Sequence, residues 1–151
     1  MFERFAASAR SAVHLAIGEA GRRGDRRVGT EHLLVGVLHD PRIAVVLGAD
    51  AEAGRRVADE LDHRALTGIG LDPSEFGTAE AATDVSHLPF TPGAKAVLTR
   101  TLVMARMERA RRIESRHLLL ALLERAEPDP VAGMLVELGV DPGQVRGRLV
   151  A

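Results

Sequence analysis

Six histidines, a dense set of arginines and a handful of Thr-Glu-His and Thr-Pro steps are where this 151-residue sequence could hold chemistry. His32 and His39 stand seven residues apart, two turns along one helical face, and would offer a metal two nitrogens. No third or fourth donor shares that spacing, and the chain has no cysteine, so thiolate zinc sites, disulfides and a cysteine nucleophile are excluded. His32 and His117 lie inside apolar runs, His32-Leu33-Leu34 and His117-Leu118-Leu119, where a structural histidine bonded to neighbouring backbone is the expectation. No Gly-rich loop precedes a Lys-Ser/Thr pair. The single lysine, Lys95, follows Gly93-Ala94 inside a helical stretch, so a phosphate-cradling loop is excluded too. Gly29-Thr30 lacks the strand-to-helix elbow of a nucleophilic serine. The sequence predicts no enzyme, no metal and no cofactor.

Arginine is the remaining chemistry. Arg22, Arg23, Arg26 and Arg27 form one cluster, and Arg106, Arg109, Arg111, Arg112 and Arg116 form another. They suit phosphate or acidic ligands, nucleic acid included, but they equally suit the negative C-terminal ends of helices. The net charge of -1 and the absence of interleaved aromatic residues favour the second reading, and nucleic acid is not the expected partner. Phe2 and Phe90 each precede a helical stretch and could staple it or line a shared groove. No apolar run reaches the roughly twenty residues that span a bilayer, and Met1-Phe2-Glu3-Arg4 lacks the order of a secretory signal. A cytoplasmic protein without membrane contact is expected.

The elements that must position these residues come in two copies. Residues 5–39 slide onto 90–124 at an offset of 85 without a gap, with nine identities in 35 positions. They include Phe5/Phe90, Arg26/Arg111, Arg27/Arg112 and the His-Leu-Leu pair, and composition alone would give about three. Beyond His39, Leu47-Gly48-Ala49-Asp50 matches Leu138-Gly139-Val140-Asp141 at an offset of 91, so the first copy is shorter by six residues. The gap falls opposite residues 125–136, which predicts a third helix cut to little more than a turn in the first copy. Apolar spacing of three and four and an Ala- and Leu-rich composition predict four helices per copy. In the first copy Thr30 is read as the N-cap of a helix over 31–38, followed by a short piece over 42–47 and a helix over 51–66. In the second copy Thr91-Pro92, Asp129-Pro130 and Asp141-Pro142 start helices, Ser115 is read as a cap and Gly139 as a stop. The expected fold is all-α: two pseudo-twofold-related four-helix repeats, residues 1–66 and 88–151, packed as one domain and joined by a linker over 67–87.

Three separated motifs carry a resemblance: Met1-Phe2-Glu3-Arg4-Phe5, Val28-Gly29-Thr30-Glu31-His32-Leu33-Leu34, and Leu88-Pro89-Phe90-Thr91-Pro92-Gly93-Ala94-Lys95. In this order on a duplicated helical frame, the sequence resembles the N-terminal repeat domain of Clp-type AAA+ unfoldases of the ClpC branch. The resemblance implies a non-catalytic module that recruits client peptide segments, adaptors or degradation tags near a Clp-type unfoldase or protease. With no nucleotide loop of its own, such a module on its own would deliver clients or sequester tags, and joined to an unfoldase it would be the receptor end.

The same resemblance implies site residues. ClpC-type domains can read phosphorylated arginine, with an acid in the Gly-Thr-Glu-His motif for the guanidinium, and that role is carried to Thr30 and Glu31. The second copy reads Glu114-Ser115-Arg116-His117, so Arg116 reverses the charge and would attract an anion instead. Phe2, Val13, Phe90 and Lys95 match positions of the family's apolar surface, where adaptors or cyclic peptides bind.

Overall fold

Proline steps and left-handed residues cut the chain into helices. The structure, a computed structural model, describes residues 2–75 and 87–150, with the Phe2 side chain outside the described set. Eight α-helices appear among those residues: α1 (Ala7–Arg23), α2 (Thr30–Leu38), α3 (Pro41–Leu47), α4 (Ala51–Gly68), α5 (Pro92–Met107), α6 (Ser115–Leu123), α7 (Pro130–Glu137) and α8 (Pro142–Val150). Proline is the first residue of α3, α5 and α7, where its missing N–H costs nothing. The preceding Asp40, Thr91 and Asp129 side chains accept from Arg42, Ala94 and Val131 N–H at 3.0–3.1 Å. Gly24, Gly48 and Gly139 close α1, α3 and α7 at φ of 70–73°. At the position equivalent to Gly24, the second copy holds Arg109 at φ 56°.

The centre consists of α2 and α6. Every residue of each is buried except one, Glu31 in α2 and Arg116 in α6. Helices apolar on every side have to be surrounded, and the other helices do this. Gly36 lets α1 lie directly on α2, since a Cβ there would stand 2.2 Å from the Ala12 carbonyl oxygen. Phe5, Val28, Leu33, Leu34, Ile113, Leu118, Leu119 and Leu122 fill the shared core.

The two copies are joined by exchange. The strap before α1 pairs with the strap before α6: Ala6 N–H donates to Ile113 O at 2.8 Å, and Ile113 N–H to Arg4 O at 3.0 Å. The strap before α5 pairs with the strap before α2: Thr91 N–H donates to Val28 O at 2.9 Å, and Val28 N–H to Pro89 O at 2.8 Å. The offset of 85 converts one pair into the other, giving two parallel one-residue bridges in an otherwise helical fold. A second reciprocal link joins side chains. The Thr30 hydroxyl donates to Asp129 Oδ1, and the Ser115 hydroxyl donates to Asp40 Oδ2 at 2.7 Å. The pseudo-twofold symmetry is therefore built into the bonding.

Three expectations need correction. The third helix of the first copy is not reduced to a turn: α3 has seven residues against eight in α7. Asp-Pro starts both helices, so four of the six extra residues of the second copy lie in the loop before Asp129, and two lie between Pro130 and Gly139, where the first copy runs from Pro41 to Gly48. Thr30 and Ser115 are the first residues of their helices rather than caps, and their hydroxyls are engaged across the repeat interface. The linker read over 67–87 begins with the last turn of α4 and a 3-10 turn at Pro73–Glu75, and residues 76–86 of it lie outside the described residues.

Glu19 is the most buried acid of the first copy, with its side chain 3% exposed. Arg22 reaches it at 2.6 Å, and Arg55 of α4 reaches it at 3.0 Å. Burial pushes its carboxyl up, but the hydrogen bonds from Arg22 and Arg55 outweigh this and hold it below the usual glutamate value. A carboxyl lowered on folding stabilises above its unfolded pKa, and that contribution fades as pH falls through the folded value. Urea midpoints measured from pH 7 to pH 3 should fall below about pH 4.5, and Glu19→Gln should lower the pH 7 stability by about 1–2 kcal/mol while flattening that fall.

Candidate functional site

Both histidines of the repeated motif act as caps. Gly29 N–H donates to His32 Nδ1 at 2.8 Å, and Glu114 N–H donates to His117 Nδ1 at 2.9 Å. With Nδ1 accepting, each ring carries its proton on Nε2, which faces Asp25 at 2.7 Å or Glu108 at 3.0 Å. The expected structural histidines are what is found. No group of three or more metal-binding side chains occurs among the described residues.

Each cap lies beside the one exposed residue of its central helix. Glu31 is 22% exposed, and its carboxylate is folded back over Gly29, with Oε1 3.3 Å from His32 Nδ1. A Cβ on Gly29 would lie 2.2 Å from Glu31 Oε1, so glycine is what makes room for this rotamer. Glu31 stands at the junction of two openings. One is a cleft of about 440 Å³ with an apolar floor of Ala58, Leu61, Pro130 and Met134, and with Arg23, Arg26 and Arg27 on its walls. The other is an adjoining groove between the starts of α2, α5 and α7, lined by Thr30, Thr91, Gly93, Arg125, Glu127 and Asp129. Arg23 is tied down by Asp62, with Asp59 3.5 Å away, whereas Arg26 and Arg27 have no ion pair among the described residues.

The symmetry-related site in the second copy has its charge already paired. Arg116 lies 2.7 Å from Glu108 and 3.0 Å from Glu114, so its charge is already matched by two carboxylates. Burial opposes the Arg116 charge, but these two bonds prevail and raise its pKa. The anion attraction expected at Arg116 therefore meets a charge that Glu108 and Glu114 already balance. Asp40, held below the usual carboxyl range against burial by Arg42 and Ser115, shares a pocket of about 130 Å³ with Arg116, and Arg116 also borders a shallow opening of about 500 Å³ with Glu108, Glu114 and Leu149. The Ser8 hydroxyl also accepts from the Ser115 N–H at 3.1 Å. Ser8 aligns with Gly93, so the Thr30 N–H of α2 has no such hydroxyl partner, and the His32 ring caps only the Gly29 N–H before it.

The structure brings Thr30 and Glu31 together and leaves Val13 and Arg116 elsewhere. Val13 is 5% exposed and packs in the core rather than on a surface, because it lies on the α1 face against α2. Phe90 is half-buried against the core, Lys95 is exposed on α5, and the Phe2 side chain lies outside the described residues. The repeat mate of Phe90 is the fully buried Phe5, not Phe2. Reading the sequence missed Asp129 and the Ser8/Gly93 difference, although the gap-free alignment already paired the latter.

This geometry defines the class: a pseudo-twofold double repeat of four helices that presents an acid, Glu31, at one place and an ion-paired arginine, Arg116, at the equivalent one. No family model matches the sequence. Over 99% of its length the chain is 32% identical to the ATP-dependent Clp protease ATP-binding subunit ClpA homolog, chloroplastic, of Brassica napus. It has the same identity to chaperone protein ClpC1, chloroplastic, of Arabidopsis thaliana. It spans 16% and 15% of the lengths of these two relatives. Among solved structures, the N-terminal domain of the caseinolytic protease associated chaperone ClpD of Arabidopsis thaliana superposes with a TM-score of 0.75 at 22% identity, covering 99% of this chain and 94% of that one. The Hsp104 N-terminal domain of Candida albicans gives 0.69 at 16% identity, covering 98% and 90%. The chain belongs to the Clp N-terminal domain family.

Because only the far end of the Glu31 side chain occupies the space above Gly29, Gly29→Ala should leave the thermal midpoint within about 3 °C while re-aiming the carboxylate. A loss of more than about 2 kcal/mol in urea unfolding would show that the glycine serves the fold and not the rotamer.

Proposed function

We propose that the domain captures peptide segments of client proteins or adaptors for a Clp-type unfoldase, catalyses nothing itself, and binds through the open site at Glu31. The observation that carries this reading is that the only exposed residue of the buried helix α2 is an acid, set beside an apolar-floored cleft and two arginines, Arg26 and Arg27, without an ion pair among the described residues. A carboxylate suits a guanidinium, while Arg26, Arg27 and the Thr30 N–H at the start of α2 suit a phosphate. A side chain that carries both groups next to each other, an arginine phosphorylated on its guanidinium, matches that order of charges. On this reading the second copy takes no tag, since Arg116 already occupies its own carboxylates with a guanidinium. Phe90 and Lys95, which has no ion pair among the described residues, are the contact for adaptors or cyclic peptides in the same proposal, and Phe2 is added to it by the family resemblance alone.

Fluorescence anisotropy with matched peptides, one unmodified and one arginine-phosphorylated, tests the tag. The phosphorylated peptide should bind at least tenfold tighter, and Glu31→Ala should remove at least that factor, about 1.4 kcal/mol. Equal affinity for the two peptides, or binding untouched by Glu31→Ala, overturns the assignment.

A further inference from the structure

The arginine clusters of the two copies have different surroundings. In the first copy, α4 runs 18 residues and brings Glu52, Asp59, Glu60 and Asp62, so Arg23, Arg55 and Arg64 are paired. In the second copy, α8 runs only nine residues and carries Arg146 and Arg148 with no acid. The loop after α5 is consequently left uncompensated. Arg106, Arg109, Arg111 and Arg112 are all exposed and have no ion pair among the described residues, since Glu108 is taken by Arg116 and His117.

The straps gather these residues onto one end of the molecule. The Arg4 guanidinium donates to Ala110 O at 3.4 Å, the Arg112 guanidinium donates to Phe5 O at 3.0 Å, and Arg109 N–H donates to Arg106 O at 3.0 Å. Met107, the last residue of α5, is 72% exposed within this group. A helix C-terminus carries roughly half a negative charge, which one or two cations satisfy and five exceed. Arg109 adds an independent observation. It holds a left-handed conformation at φ 56°, where the first copy uses Gly24 at 73° for the same turn. A side chain there costs on the order of 1 kcal/mol, which stability alone would remove by substituting glycine.

We infer that Arg4, Arg106, Arg109, Arg111 and Arg112, set around Met107, form a docking surface for an acidic peptide segment, separate from the site at Glu31. Arginine forks take carboxylates in pairs, and the exposed thioether offers an apolar contact to a side chain between them. A protein segment fits better than nucleic acid because the described residues place no exposed aromatic ring there for bases to stack on, Phe5 being fully buried.

The test uses the folded chain and a fluorescein-labelled peptide of about twelve residues, rich in Asp and Glu around a central Leu, at low salt. The controls are its Asn/Gln counterpart and a single-stranded oligonucleotide of matched charge. The acidic peptide should bind at least tenfold tighter than either control, and its affinity should fall steeply with salt. Arg106→Gln with Arg111→Gln should weaken it at least fivefold, whereas Glu31→Ala should leave it unchanged. Arg109→Gly separates docking from folding, since it should raise the thermal midpoint and weaken the peptide together. No binding, equal binding of a control, tighter binding of the oligonucleotide, or an Arg109→Gly variant that gains stability at full affinity would overturn the inference.

Discussion

The structure depends on a reciprocal exchange of backbone. Each copy lends the strap before its first helix to the strap before the other copy's second helix, through the pairs Ala6–Ile113 with Ile113–Arg4 and Thr91–Val28 with Val28–Pro89. Such bonds contribute on the order of 1 kcal/mol each, less than the burial of a single leucine such as Leu33 or Leu118. Their role is alignment. They set the starts of α2 and α6 against the partner copy, and the Thr30–Asp129 and Ser115–Asp40 links fix the same junction through side chains. Neither copy completes the wall of its own site, because the opposite copy supplies the α7 or α3 start that faces it.

On that symmetric frame, a few substitutions make the two sites different. Glu31 against Arg116 changes the charge presented, and Gly93 against Ser8 decides whether the first amide of the central helix has a side-chain partner. Gly29 against Glu114 decides where the neighbouring side chain can rest. All three act at the one exposed turn of a helix that is otherwise buried, so they alter recognition without touching the core. A long, acidic α4 in one copy and a short, basic α8 in the other extend the asymmetry to the arginine clusters.

Much of this was legible in the sequence. The gap-free offset of 85, the Asp-Pro and Thr-Pro starts and the left-handed glycines report local chemistry, so helix number, order and most ends follow from them. The capping histidines were legible because polar rings in apolar runs need a backbone partner. The bridges were not, since a single residue pair leaves no alternating pattern, and its partner lies more than a hundred positions away or across the linker. The division of the six extra residues, four in the loop before Asp129 and two between Pro130 and Gly139, was hidden because a gap marks a length difference without saying which element absorbs it. Val13 was misplaced for another reason. A family position names a neighbourhood, and burial is decided by what packs there, here α2 drawn close by Gly36.

Native-state hydrogen exchange at the amides of Ala6, Val28, Thr91 and Ile113 probes the exchange between copies most directly. If it makes the two copies one cooperative unit, all four amides should exchange only through global unfolding, with the same free energy and denaturant dependence as the core amides of α2 and α6. Either bridge opening locally at a much lower free energy, or the two copies unfolding at different denaturant concentrations, would contradict the account.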